Sequence, residues 1–197
     1  MSHLYYLSCV KYLIQRYDEG KMSSFLSSLN PSTNQEVFFK HAPFNVKIQF
    51  PFEKVKFVGM IAGGTGITPM IQALHALLGE KQGDNEYNVE KVSLLYGNRI
   101  AGDILAKDML DDWVNTYSKF SMTHVLSHEP LDSSWTEGKR GFIGKELIAS
   151  FPKPSEGNSI IFVCGPPAMY TALCGPREEK GVSGVLGEMG YKNVYKF

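Results

Sequence analysis

The sequence has few cysteines, no excess of charge of either sign and no long apolar run. Cys9, Cys164 and Cys174 are odd in number and lack Cys-x-x-Cys spacing, which argues against a disulfide framework or a zinc site. Twenty basic residues balance twenty acidic ones, so we expect no nucleic-acid partner. No stretch approaches the roughly 20 apolar residues of a membrane span. We therefore expect no metal site and no membrane segment in this chain.

The N-terminus also lacks the features of a secretory leader. An apolar patch is present in residues 1–16, but no basic head precedes it and no small-residue cleavage site follows. We expect a monomeric, cytoplasmic protein, bound at the cytosolic face of a membrane if an anchor exists outside this sequence.

From residue 57 onward, short apolar runs alternate with helix-like segments. Continuous apolar runs ended by glycine are typical of strands covered on both faces. Strands separated by helices predict an α/β fold with a doubly wound parallel sheet of five strands. The predicted strands are 57–62, 92–96, 120–127, 159–164 and 194–197. The predicted helices are 70–78, about 103–117 and 145–151.

Residues 1–56 have a different pattern. The stretches 5–13 and 35–50 are rich in aromatic and β-branched residues and predict strands, and 20–30 predicts a short helix between them. We therefore expect two domains: a partial antiparallel β-barrel over residues 1–56 and an α/β domain over residues 57–197.

A glycine-rich stretch, IAGGTGITPM over residues 61–70, follows the first of these strands. It lacks the third glycine of G-x-G-x-x-G and has no G-K-[ST], so neither common nucleotide fingerprint is met. Glycines nevertheless let a backbone approach a pyrophosphate, and the start of a helix favours an anion. Pro69 suits the first helical position, where its missing N–H is not needed. A tight strand–helix turn without a ligand is the alternative.

Four motifs occur in a fixed order along the chain. They are Gly20-Lys-Met-Ser23, the glycine stretch 63–70, Tyr96-Gly-Asn98 with Asp103, and Cys164-Gly-Pro-Pro-Ala-Met169. With the terminal Phe197, they resemble the ferredoxin–NADP reductase superfamily, and most closely its NADH–cytochrome b5 reductase branch. The resemblance runs over nearly the whole chain. It implies an FAD-binding β-barrel followed by an NAD-binding α/β domain.

The resemblance also implies where two cofactors, FAD and NADH, bind. The FAD pyrophosphate would lie at the start of the short helix, and Lys11 would lie along the flavin; the helix-start residues are Gly20, Lys21, Met22 and Ser23. The NADH pyrophosphate would lie on the glycine stretch, with Thr68 on the flavin side; the residues nearest it would be Gly63, Gly64, Thr65 and Gly66, followed by Pro69.

Cys164 is the catalytic candidate that the resemblance implies. A small thiol there would pack against the nicotinamide and help to fix the geometry of hydride transfer. The neighbouring binding residues would be Gly165, Pro166, Pro167 and Met169, with Phe197 closing the sheet near the same cleft. An inert cysteine at a strand end is the alternative for Cys164, and the simple end of a strand is the alternative for Phe197.

Asp103 stands where the resemblance implies an acidic residue that disfavours the 2′-phosphate of NADPH. Its carboxylate would repel that phosphate and accept a hydrogen bond from a ribose hydroxyl. The neighbouring Arg99 would weaken this preference. An N-cap for the following helix is the alternative role of Asp103.

The function implied is electron transfer from NADH through FAD to a one-electron haem acceptor such as cytochrome b5. Two alternatives stay open. One is a related NAD(P)H-dependent flavin reductase with another acceptor. The other is an NAD-binding lobe without flavin or activity. The absence of the family's Arg-x-Tyr-[Thr/Ser] motif favours the second, because the chain starts just after that motif's place and the barrel lacks its first strands.

Overall fold

The computed structural model describes residues 19–30, 32–33, 35–38, 55–79, 89–154 and 158–197. The chain divides into two compact units, Met1–Lys47 and Ile48–Phe197. In the first unit, helix α1 spans Lys21–Ser28, where a short helix was predicted. The predicted strands 5–13 and 35–50 lie outside the described residues, except for 35–38, which form no regular element.

The second unit contains a parallel sheet. The strands are β1 Phe57–Gly63, β2 Lys91–Asn98, β3 Phe120–Leu126, β4 Lys139–Arg140, β5 Ser159–Cys164 and β6 Val194–Lys196. They are arranged in the order β4-β3-β2-β1-β5-β6, and every pairing is parallel. From β1 the chain builds outward through β2, β3 and β4, then returns to the other side of β1 to add β5 and β6. This confirms the doubly wound α/β fold.

The predicted count of five strands is wrong, because the sheet has six among the described residues. The additional strand, β4, consists of Lys139 and Arg140, and both are exposed. Among the described strands, it pairs with β3 alone, through Val125 and Leu126 at the sheet edge. Two charged residues carry neither an apolar run nor an alternating pattern, so nothing in the sequence indicates this strand.

Helices cover both faces of the sheet. Two of them start at other residues than predicted: the helix predicted over 70–78 starts at Ile67, and the one predicted over about 103–117 starts at Lys107. The glycine stretch forms a 3₁₀ turn, Gly64–Gly66, and α2 begins immediately after it at Ile67, so Pro69 is the third helical residue and not the first. Pro69 is still tolerated, since the first four amides of a helix have no acceptor within it. The second-unit helices are α2 Ile67–Leu78, α3 Lys107–Thr116, α4 Lys145–Ile148, α5 Pro167–Leu173 and α6 Gly184–Glu188.

Strand β1 lies at the centre of the core, and all seven of its residues are buried. Val58 and Met60 contribute to the hydrophobic cluster beneath α2 and α3. Phe57 and Ile61 contribute to the cluster on the opposite face, beneath α5 and α6. Burying one such side chain stabilises the fold by about 1.5–3 kcal/mol. Among the described residues, no helix is both long enough and apolar enough to cross a bilayer.

A lysine organises the loop before α6. The ammonium of Lys196, on β6, donates to three backbone carbonyls, those of Pro176 at 2.8 Å, Glu179 at 3.0 Å and Gly181 at 2.9 Å. These carbonyls belong to a turn without regular secondary structure, so the ammonium supplies the hydrogen bonds that a helix or strand would otherwise provide.

A polar cluster joins α3 to the edge of the sheet. Lys107 pairs with Asp111 at 2.6 Å and with Glu137 at 2.8 Å. Behind them lies the buried His124 of β3, whose Nε2 is 3.8 Å from the Asp111 carboxylate. Neither ring nitrogen of His124 has a hydrogen-bond partner in the described part of the chain. Burial lowers the pKa of His124, although the Asp111 carboxylate opposes this effect.

We predict that His124 makes folding stability depend on pH. An unfolded histidine has a pKa of about 6.5, so below that value the unfolded chain binds a proton that the folded chain still excludes. The free energy of unfolding should therefore fall as the pH drops through 6. Urea unfolding at pH about 7.5 and about 5.5 measures this loss, and it should be smaller in His124→Gln, which does not titrate there. Equal losses in both proteins would contradict the prediction.

Candidate functional site

Three strand ends meet at one edge of the sheet. Ala62 of β1 lies beside Tyr96 of β2 on one side and Cys164 of β5 on the other. The glycine stretch and the Cys164 segment are thus neighbours at the carboxyl edge of the sheet. Ligands of open α/β sheets bind beyond this edge, at the point where the strand order reverses. In this sheet that point lies between β1 and β5.

Gly64 is the open position of the glycine turn, which is the 3₁₀ turn Gly64–Gly66. Its φ of +53° is in the left-handed region, and no described atom lies within 4 Å of the place a Cβ would take. The next residue, Thr65, is exposed. The first amides of α2 follow directly, and the start of a helix carries a partial positive charge. This combination of open backbone and helix start fits the diphosphate of a dinucleotide.

Gly63 and Gly66 are glycines for a different reason, close packing. A Cβ on Gly66 would collide with the carbonyl of Cys164, and one on Gly63 would lie 2.9 Å from both Met169 and Pro166. Both glycines are buried. Of the four residues expected nearest the pyrophosphate, Gly64 and Thr65 are therefore the two that reach the surface.

Met169 lies over the backbone of the same edge. Its side chain would meet a Cβ on Gly165 at 2.5 Å, and one on Gly97 at 3.5 Å. The side chain therefore packs against backbone at the ends of three neighbouring strands. Pro166 and Pro167 lead into α5, as its N-cap and first residue. Proline suits the first position, because its missing N–H needs no acceptor there.

Cys164 is half-buried at the end of β5. Burial raises its pKa, so it remains a thiol at neutral pH. The Tyr170 hydroxyl lies close enough to interact with it. Burial also raises the pKa of Tyr170 to about 12, so this hydroxyl remains a proton donor. Cys164 is therefore placed as a small uncharged group at the edge of the sheet and not as a thiolate nucleophile.

Phe197 is held beside the same strand end. Its amide donates to the Val163 carbonyl at 3.0 Å, and its own carbonyl accepts from the Tyr170 hydroxyl at 2.7 Å. Its ring stands edge-on to that of Phe162, with centroids 5.6 Å apart. The last residue thus extends beyond β6 and lies near Cys164. Sequence reasoning missed Tyr170, since nothing in its local pattern distinguishes it from a core aromatic residue.

Asp103 is exposed and ends a 3₁₀ turn, Ala101–Asp103. Its alternative role as the N-cap of the following helix is wrong. Helix α3 begins later than predicted, at Lys107, and its N-cap is Ala106, with a φ of +55°. The chain turns too sharply at Ala106 for the helix to extend back to Asp103. The carboxylate is thus left at the surface near the end of β2.

Two buried polar residues of β2, both in the Tyr96-Gly-Asn98 motif, had no individual role in the sequence prediction. Tyr96 is fully buried, and its hydroxyl bonds to backbone in both the glycine turn and the segment after Asp103. Asn98 is also buried, and its side-chain amide makes no well-formed hydrogen bond within the described residues. Apart from that motif, their sequence signal is a pair of polar groups at the end of a mostly apolar strand.

In the first unit, Gly20 is the N-cap of α1, and the Ser23 hydroxyl donates to its carbonyl at 3.1 Å. Lys21 and Met22 are exposed in the first turn, where their amides have no acceptor within the helix. A cation and helix-start amides of this kind suit a phosphate group. Lys11, the other residue expected near the flavin, lies outside the described residues.

The oxidoreductase NAD-binding domain family matches residues 60–175, which include the edge with the glycine turn, Tyr96, Asp103 and Cys164. The chain belongs to this family. Its resemblance to the NADH–cytochrome b5 reductase branch is also confirmed. NADH-cytochrome b5 reductase 2 of Aspergillus oryzae is 41% identical over 94% of this chain and 56% of its own length. This NAD-binding chain therefore spans about half the length of the curated relatives it matches.

Solved structures agree with the family assignment. The cytochrome b5 reductase domain of Ulva prolifera nitrate reductase is 25% identical, with a TM-score of 0.64 over 90% of this chain and 64% of that one. A ferredoxin NADP+ reductase from Neisseria gonorrhoeae, solved with bound FAD and NADP, is 17% identical. It has a TM-score of 0.58 over 92% of this chain and 70% of that one, and at that identity it supports the fold alone.

We predict that the glycines of the turn differ in how much an alanine substitution destabilises the fold. Gly66→Ala should lower the free energy of unfolding by roughly 3 kcal/mol, because its methyl group would meet the fixed backbone of Cys164. Gly64→Ala should cost about 1–2 kcal/mol, the cost of the left-handed conformation. Urea unfolding followed by circular dichroism measures both.

Gly102→Ala is the matched control for this series, because the nearest atom to its Cβ position, on Ile100, is 4.0 Å away. It should leave the unfolding midpoint almost unchanged. A cost for Gly66→Ala no larger than that for Gly102→Ala would contradict the close packing of the turn against Cys164.

Proposed function

We propose that this chain works in an NADH-dependent flavoprotein reductase, which passes electrons from NADH through FAD to a one-electron haem acceptor such as cytochrome b5. The observation that carries the proposal is the open, left-handed Gly64 between a buried strand and the start of α2, next to the strand end that bears Cys164. The name of the Aspergillus oryzae relative, NADH-cytochrome b5 reductase 2, supports the choice of donor and acceptor.

The diphosphate of NADH would lie against Gly64 and Thr65. Gly64 offers backbone without a shielding side chain, and the start of α2 adds a favourable dipole. Thr68 lies in that turn, and its hydroxyl donates to the Thr65 carbonyl at 3.1 Å. This bond ties the helix start to the turn, so the binding backbone is ordered before the ligand arrives.

The nicotinamide would lie beside Cys164. Its thiol, held protonated by burial, offers a small uncharged surface that allows close approach. Tyr170 and Phe197 support this strand end from behind, and Met169 covers the neighbouring glycines. These side chains would orient the ring and exclude water, because a small displacement of the reacting atoms is costly. No general base is required for this chemistry.

FAD would take its pyrophosphate at the start of α1, from Lys21, Met22 and Ser23, with Lys11 along the flavin. When bound, this cofactor accepts a hydride and releases single electrons, so it supplies the redox chemistry. The exposed Lys21 and the first-turn amides are the described features that support this placement. We propose further that the protein is a monomer in the cytoplasm that docks a haem protein such as cytochrome b5.

The direct test is a visible absorption spectrum of the purified full chain, incubated with FAD and then desalted. The proposal expects a retained flavin band that bleaches when NADH is added, followed by reduction of added cytochrome b5. Cytochrome b5 without the chain is the control for direct reduction by NADH.

Two other outcomes have defined meanings. If no flavin is retained but NADH still binds, the alternative of an NAD-binding lobe without its own electron transfer is supported. If neither cofactor binds, the proposed function is overturned. A bleached flavin that leaves cytochrome b5 oxidised would instead favour the related reductase with another acceptor.

We predict that Asp103 sets the preference for NADH over NADPH. In Asp103→Ser, loss of the carboxylate removes its repulsion of a 2′-phosphate, and the exposed Arg99 becomes an available partner. The preference for NADH, measured as the dissociation constant of NADPH divided by that of NADH, should fall about ten-fold, which corresponds to about 1.4 kcal/mol. Asp108→Ser, an exposed carboxylate in the first turn of α3, is the matched control. An unchanged ratio in Asp103→Ser would rule out this role.

A further inference from the structure

The Tyr96 hydroxyl joins two separate loops at the cofactor edge. It donates a hydrogen bond to the Gly64 carbonyl at 3.1 Å and accepts one from the Leu105 amide at 3.2 Å. Gly64 belongs to the turn after β1, and Leu105 to the segment after β2. The ring itself is fully buried between them, so the oxygen is fixed in place by the core.

The Gly64 carbonyl accepts from two donors, the Tyr96 hydroxyl and the Ile67 amide, and the bond from Tyr96 ties the orientation of the next peptide group to the core. In a planar trans peptide, the C=O of one residue and the N–H of the next point in opposite directions. Because the Gly64 carbonyl is turned inward to the buried Tyr96, the Thr65 N–H is turned away from the core. Thr65 is exposed, and an amide turned away from the core at this position would face an approaching diphosphate.

The bond to Leu105 fixes the other loop. Leu105 follows Asp103 by two residues and precedes Ala106, whose backbone has a positive φ. The Asp103 carboxylate lies near enough to Tyr96 to contribute to its raised pKa, although burial is the main cause. The hydroxyl therefore holds the segment that carries Asp103 at a set distance from the glycine turn.

We propose that Tyr96 is a positioning residue that couples the two halves of the dinucleotide site. Its hydroxyl would orient the Gly64–Thr65 peptide toward the diphosphate by the bond to Gly64. By the bond to Leu105, the same hydroxyl would hold the segment that carries Asp103 near the adenosine ribose. This inference rests on the proposed function, in which the same edge binds NADH. The ring alone would fill the core equally well as phenylalanine, so the hydroxyl is the part that serves the site.

The test compares two buried tyrosines that each lose one hydroxyl. Tyr191→Phe is the matched control, because its hydroxyl also donates to a backbone carbonyl, that of Pro152 at 2.9 Å, away from the glycine turn. Dissociation constants for NADH and for ADP-ribose are measured on the full chain by calorimetry, with the thermal midpoint of each protein. ADP-ribose contains the diphosphate and adenosine ribose without the nicotinamide.

Tyr96→Phe should raise the dissociation constants of NADH and of ADP-ribose by the same factor, about three- to ten-fold, as expected for one lost hydrogen bond. It should also narrow the preference for NADH over NADPH, because Asp103 is less firmly held. Tyr191→Phe should lower the thermal midpoint to a similar extent but leave both dissociation constants within about two-fold.

The outcomes separate this inference from the proposed function. If the wild-type chain binds neither NADH nor ADP-ribose, the proposed function fails. If the wild type binds and Tyr96→Phe binds equally well, the positioning role is overturned. It is also overturned if the two variants lose affinity in proportion to their loss of stability, since that is the behaviour of a purely structural hydroxyl.

Discussion

The contact between the glycine turn and the end of β5 is the constraint on which the site depends. Gly66 lies so close to the Cys164 carbonyl that no side chain fits between them. Because β1 and β5 are hydrogen-bonded neighbours, α2 must start in the space directly beside Cys164. This brings the open backbone of Gly64 and a small thiol to one edge, at a separation set by backbone packing. A rigid separation of this kind suits a ligand that carries a phosphate and a reactive ring at fixed spacing.

Around that contact, the two ends of the site are stabilised in different ways. The end proposed for the diphosphate depends on backbone direction, through Gly64 and the Tyr96 hydroxyl. The Cys164 end depends on side-chain packing, through Met169 and the bond from Tyr170 to Phe197. Backbone geometry tolerates few residue types, whereas packing tolerates several of similar volume. Substitutions at the first end should thus affect binding more sharply than those at the second.

The sequence was informative wherever a pattern extends over several residues. The apolar runs of β1, β2, β3 and β5 predicted their strands, and the order of strands and helices predicted the doubly wound sheet. Strand β4 could not be predicted, because two charged residues carry no periodicity. The starts of α2 and α3 were misplaced, since 3₁₀ turns and the left-handed Ala106 leave no clear sequence mark. Tyr96 and Tyr170 act through long-range bonds to backbone, which no local pattern reveals.

Lys196 has a consequence for the loop between α5 and α6. Three carbonyl oxygens converge on its ammonium, an arrangement that elsewhere surrounds a bound alkali or alkaline-earth ion. In this chain the cation is covalently attached to the neighbouring strand, so it cannot dissociate or exchange with solvent. The loop is thereby folded without any ion taken from the medium. Its shape is coupled to the formation of the sheet edge and not to the ionic composition of the surroundings.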